Sequence, residues 1–194
     1  FRRVLFRSEL WDSVLNRTIE EIYWVGGEPL MYDIHWKIMN YLVISGHSKN
    51  VVVRYNTNLS RENYQNNNLF QLLSNFKRVN MCCSMDATGS VAEYIRHGLN
   101  WDKWLELFKK GIPLNDKYGM DAMVIDVTLT LPGMTEVLAV EQLCQDLGVQ
   151  LLAKVVFSFS PDIVMSPLAL PKSILHPWID ELLVQSQNSM MKDV

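Results

Sequence analysis

Five short runs rich in β-branched and apolar residues alternate along this chain with stretches whose apolar residues recur at helical spacing. The pattern predicts strands over 21–25, 51–55, 79–85, 122–131 and 151–157. Between them, Ile34, Ile38, Met39 and Leu42 share one helical face. So do Leu69, Leu72, Leu73 and Phe76, then Trp101, Trp104, Leu105 and Phe108, then Val137, Val140, Cys144 and Leu147. Asp33 is placed to cap the helix after the first strand, and Gly46 and Gly148 to end helices. A polar loop is expected at 66–68, an irregular stretch at 158–171 and a last helix over 174–185. Strands that alternate with helices pair in parallel. Right-handed crossovers put the C-terminal end of every strand on one rim, where ligands bind in open α/β sheets and in βα barrels alike.

The residues just past each strand are therefore the ones that count. The first strand runs into Gly26-Gly27-Glu28-Pro29. Two residues without Cβ let a ligand approach bare N–H and C=O groups. Glu28 adds an acceptor for an ammonium or hydroxyl, and Pro29 fixes φ as the chain turns. Asn56-Thr57-Asn58 follows the second strand, and Ser84 and Asp86 the third. The fourth ends in Thr128 and Thr130, the fifth in Ser158 and Ser160. Each group taken singly is explained by a turn or cap. Small polar ends on consecutive strands with apolar interiors favour a shared polar ligand site. His35, His47, His97 and His176 are isolated and expected at the surface. No Ser–His–Asp order or metal-binding His pair is present.

Composition removes several classes. The chain has 194 residues, 48% hydrophobic and 20% charged, enough for one domain with a sizeable core. A net charge of -3 provides no basic field for nucleic acid. No apolar run is long enough to cross a membrane. The three cysteines, Cys82, Cys83 and Cys144, lack framework spacing, which argues for a reducing compartment and a cytoplasmic protein.

GGEPL after a strand, NTNLS after the next, then VNMCCSMDATG and EYIRHG, together resemble the radical S-adenosylmethionine (radical SAM) superfamily. The likeness is greatest to twitch-domain-containing radical SAM proteins, and it covers residues 9–185 as a single core. It implies an α/β fold, a partial (β/α)6 TIM-like barrel whose first strand is missing from this chain. It also implies S-adenosylmethionine and a 4Fe–4S metal-binding centre as cofactors. One electron from the cluster cleaves the cofactor to a 5′-deoxyadenosyl radical, which abstracts hydrogen from the substrate. Partners implied are a reductant protein such as flavodoxin or ferredoxin and an unknown substrate, a peptide or small metabolite. By the same resemblance, Gly26, Gly27 and Glu28 hold the methionine ammonium and Pro29 shapes the turn. Ser84 and Asp86 lie near the ribose or carboxylate, and Arg96 pairs with the cofactor carboxylate. Asn56 and Asn58 bond cofactor or substrate, and residues 155–157 pass beside the adenine.

The family's C-x-x-x-C-x-x-C is not in this sequence. Cys82 and Cys83 are adjacent on a predicted strand, so they point to opposite faces, and Cys144 lies in an apolar helical stripe. All three read as packing residues. Residues 1–8, FRRVLFRS, resemble the translation of a sequencing adapter, which would place the start of natural sequence at Glu9 and the cluster strand upstream. Residues 186–194 read as a tail. Without its first strand the barrel exposes an edge at 21–25, and the isolated chain is expected to be poorly soluble and to bind the cofactor weakly. Two other readings compete. One is a degenerate βα-barrel binding module without a cluster; the other is a different βα-barrel enzyme using Glu28 and Asp86 as acid and base.

Overall fold

The computed structural model describes residues 2–156 and 165–185, with the backbone alone for 2–8 and 185. Helix α1 (Arg2–Leu15) precedes strand β1 (Glu21–Trp24), a 3-10 turn at Pro29–Met31 and helix α2 (Asp33–Ile44). Strand β2 (Val52–Thr57) leads to a ribbon of β3 (Asn63–Tyr64) and β4 (Asn67–Asn68), then to α3 (Leu69–Leu73) and β5 (Arg78–Ser84). Helices α4 (Gly89–Ile95), α5 (Trp101–Gly111) and α6 (Pro113–Tyr118) follow, then β6 (Met123–Leu129), α7 (Val137–Leu147), β7 (Gln150–Val155) and α8 (Lys172–Gln185).

The five longer strands form one sheet in the order β1-β2-β5-β6-β7. β1 pairs with β2, β2 with β5, and β6 with β7, all in parallel. The fold is thus α/β, as the alternation predicts. Among the described residues the strands do not close on themselves, because β1 and β7 each have one neighbour. No described helix is long and apolar enough to cross a membrane. The chain divides into two compact units. Unit 1 is Phe1–Cys83 with Lys110–Met123; unit 2 is Ser84–Lys109 with Val124–Val194.

In unit 1, alternation on the strands sorts the faces. Val53, Tyr55 and Thr57 of β2 are buried, as are Val79, Met81 and Cys83 of β5. Helix α2 contributes His35, Trp36, Ile38, Met39 and Leu42 to the core, and burying each of the larger apolar side chains contributes about 1.5–3 kcal/mol. Ile34, placed on that face by spacing, is only half-buried. Trp11 of α1 meets Tyr41 of α2 edge-on at 5.9 Å between ring centroids. In unit 2, α5 stacks Trp101, Trp104 and Phe108 at 5.7 and 5.1 Å. Helix α7 buries Val137, Val140 and Cys144, and Gly148 ends it at φ 64.

The structure corrects three expectations and adds two short helices. Asp33 does not cap α2: Tyr32 is the N-cap, while Asp33 is the first helical residue, pairing with Lys37 at 3.3 Å and accepting from the Tyr64 hydroxyl. A carboxylate there is still favoured, because the helix N-terminus carries partial positive charge. His35 is not on the surface but fully buried. The polar loop at 66–68 is instead the β3–β4 ribbon, and Asn68 accepts from Gln71 N–H at 3.1 Å to cap α3. Helices α4 and α6 had no apolar stripe long enough to announce them. α6 is a short turn that Pro113 opens.

Candidate functional site

The loop after β1 is built by conformation first. Gly26 and Gly27 lie at φ 84 and 58, a region costly for residues with a Cβ. At Gly27 a Cβ would also stand 2.8 Å from the Tyr32 hydroxyl, whereas nothing lies within 4 Å of the equivalent position at Gly26. The loop is therefore closed on one side by Tyr32 and open on the other. Pro29 is buried and starts the 3-10 turn that Glu28 caps.

Glu28 is held by three donors. Its Oε1 accepts from Leu30 N–H at 3.2 Å and from the Thr57 hydroxyl at 2.6 Å. Its Oε2 accepts from Asn58 N–H at 2.6 Å. The Thr57 oxygen in turn accepts from Leu59 N–H at 2.9 Å. A carboxylate offers about four acceptor positions, so one remains, on Oε2. Glu28 thus ties the β1 loop to the end of β2 and keeps capacity for one further donor. Its three accepted hydrogen bonds orient the remaining acceptor position toward a further donor.

Asn58 joins this loop through its backbone. Asn56 does not: it shares the other face of β2 with Arg54, and its Oδ1 accepts from the Tyr23 hydroxyl at 3.0 Å. That face bounds an open cavity of about 640 Å³ lined by Tyr23, Arg54, Asn56, Asn80, Cys82 and Asp121 among others. Arg54 pairs with Glu21 at 3.0 Å, and Arg78 with Asp121 at 2.5 Å. Burial pushes the Asp121 carboxyl up, but its bonds from Arg78 and Asn80 outweigh that and hold it below the usual range.

Unit 2 contains the remaining predicted residues. Asp86 is buried, and both its oxygens are engaged: Oδ2 with Arg96 at 2.8 Å, Oδ1 with Thr128 N–H at 3.0 Å. Arg96, expected to meet a ligand carboxylate, is thus drawn to a carboxylate of its own chain. Gly133 packs against this turn, where a Cβ would stand 2.8 Å from the Asp86 carbonyl oxygen. Thr130 accepts from Gly133 N–H at 3.2 Å. Ser84 ends β5 half-buried. Residue 155 is described, but Phe157, Ser158 and Ser160 lie outside the described residues.

Sequence reasoning missed two features. Thr57 was visible inside Asn56-Thr57-Asn58, and strand alternation would have singled it out, since it shares the buried face with Val53 and Tyr55. The second is Asp126, buried on β6, whose oxygens accept from Lys154 Nζ of β7 at 2.7 and 2.6 Å. One acid and one base, each inside an otherwise apolar strand, was the signal.

A cluster finds no home among the described residues, which include no group of three metal-ligating side chains. Cys83 is buried and Cys82 half-buried on opposite faces of β5. Burial, and next the nearby Glu141 carboxylate, push the Cys144 thiol up to about 12, which keeps it protonated and poor as a ligand. The described residues do not fit a 4Fe–4S centre. Beside the β1 loop, Glu28 Oε2 keeps an acceptor position and Gly26 leaves open space.

No family model and no curated protein matches the sequence. Among solved structures the chain is similar to SuiB of Streptococcus suis, with 12% identity and a TM-score of 0.61 over 92% of this chain and 40% of that one. It is similarly close to SuiB bound to the precursor peptide SuiA, at 12% identity and TM-score 0.60, covering 92% of this chain and 39% of that one. At such identity the likeness concerns the fold alone. The chain spans about two fifths of the length of these solved chains.

Proposed function

We propose that this chain carries the S-adenosylmethionine-holding loop of a radical SAM protein whose substrate is a peptide. The observation that carries the proposal is Glu28: a carboxylate fixed by three donors, with one acceptor position left beside two glycines in left-handed conformation. Such a group receives an ammonium without having to reorganise. Gly26 and Gly27 admit the cofactor's methionine end, and Asn58 fixes the carboxylate that receives it. Within unit 2, taken by itself, Ser84 and the Asp86–Arg96 pair are the polar groups proposed for a ligand hydroxyl or carboxylate. A ligand carboxylate there has to share Arg96 with Asp86. A reduced 4Fe–4S cluster would supply the electron for cleaving the cofactor, and among the described residues no side-chain group would hold it. A peptide substrate is favoured by the similar structure that was solved with a precursor peptide.

Calorimetric titration with S-adenosylmethionine and with its analogue lacking the amino group tests the loop. Wild type is expected to bind the amine-bearing cofactor more tightly, and Glu28→Gln to lose that preference while circular dichroism stays unchanged. Equal affinity for the two ligands in wild type would overturn the assignment. A second reading, a binding module without redox chemistry, is favoured by the absence of a fitting cluster site among the described residues. Binding that persists with no 5′-deoxyadenosine formed, after reconstitution with iron and sulfide, would select it.

A further inference from the structure

An apolar groove of about 250 Å³ lies in unit 2 between α7 and α8, beside the ends of β6 and β7. Leu129, Val155, Leu138, Trp178 and Leu182 line it, and so does one carboxylate, Glu141. Glu141 is 4% exposed. Among the described residues its one hydrogen bond comes from Gln145 Nε2 at 3.4 Å, near the outer limit for such a bond. No cation among the described residues is paired with it. A carboxylate withdrawn from water into apolar surroundings is costly unless a cation or strong donors meet it. Neither Glu141 oxygen is a sealed, unpartnered atom, so its free acceptor positions open toward the groove's solvent side. At the groove's rim, Leu168 and Leu183 are 54% and 61% exposed, so apolar surface continues outward from the buried acid.

We propose that this groove receives a basic side chain of a partner peptide, with its cationic head on Glu141 and flanking apolar residues on Leu168 and Leu183. Charge complementarity selects the cation, because an apolar or acidic occupant would strip water from the carboxylate without replacing it. Size selects a single side chain, since the volume falls below the roughly 300–1,000 Å³ of sites that enclose whole small molecules. The choice of a peptide over a free amine rests on the function proposed above; the groove, its acid and its rim do not.

The probe is a fluorescein-labelled leucine–alanine peptide with one central lysine, compared by anisotropy with the same peptide carrying norleucine. Wild type is expected to bind the lysine peptide roughly tenfold more tightly, a difference of about 1.4 kcal/mol. Glu141→Gln, nearly the same shape, is expected to erase that preference. Leu182→Trp, which fills the groove and leaves Glu141 in place, is expected to abolish binding of both peptides. Equal binding of the two peptides by wild type, no binding of either, or a lysine preference that survives in Glu141→Gln would each overturn the proposal. Cofactor titration on the same samples separates this result from the fate of the loop after β1. A cofactor that binds normally while the lysine peptide is ignored removes the groove assignment alone.

Discussion

Two side chains show how surroundings set what a polar group can do. His35 is enclosed by Trp24, Trp36 and Tyr55, its Nε2 2.7 Å from the Tyr55 hydroxyl. Burial lowers its pKa from 6.5 to about 3. The folded chain thus refuses a proton that the unfolded chain accepts. Its contribution is complete above 6.5 and is lost as pH falls toward 3, at up to about 1.4 kcal/mol per pH unit. Urea midpoints measured across that window should fall in wild type and flatten in His35→Gln. Glu28 is the second case. Glu28→Gln turns one acceptor atom into a donor facing Thr57 or Asn58, and about 1–3 kcal/mol of stability should disappear in the same assay. Gly27→Ala should cost more than Gly26→Ala, because only the former meets Tyr32. Tyr32→Phe should recover the steric part of that difference.

At the scale of elements, β1 and α8 are the exposed weaknesses. β1 is an edge strand, with Tyr23 52% exposed on it and Val25 56% exposed just after it. Open edges recruit other chains. Light scattering at rising concentration should therefore drop in Val25→Lys with the melting temperature unchanged. In α8, Pro177 interrupts the helix interior, removing an N–H and crowding the preceding turn. Pro177→Ala should slow hydrogen exchange in that helix. Most elements were legible in the sequence because apolar spacing reports directly on a buried face: α2, α5, α7 and the described parts of all five sheet strands lie where spacing put them, while α3 starts at Leu69 as expected but ends at Leu73, short of Phe76. α4 and α6 were not, since short helices make too few turns to show a period. The β3–β4 ribbon was hidden because its asparagines serve backbone pairing and capping at once. The glycine pair was legible as a loop, but its function as an acid clamp was not. That depends on Thr57 and Asn58, brought to Glu28 by the parallel register of β1 and β2.

For the whole molecule, the two compact units set the expected order of loosening. Each has its own core and its own carboxylate clamp, the half-buried Glu28 in one and the buried Asp86 in the other. Asp86→Ala strips Arg96 and Thr128 of their shared partner. Exchange should then rise across Ser84–Lys109 and in β6 before it changes in Phe1–Cys83. A uniform rise along the chain would show instead that the molecule opens as one cooperative body.

Tyr32 gives the loop after β1 a built-in reporter. Its ring is 50% exposed, yet its hydroxyl stands over Gly27. A fluorine placed on that ring would feel a sulfonium-bearing visitor as a change in local field. The arrival of a ligand could then be watched by resonance shift, with no turnover and no iron.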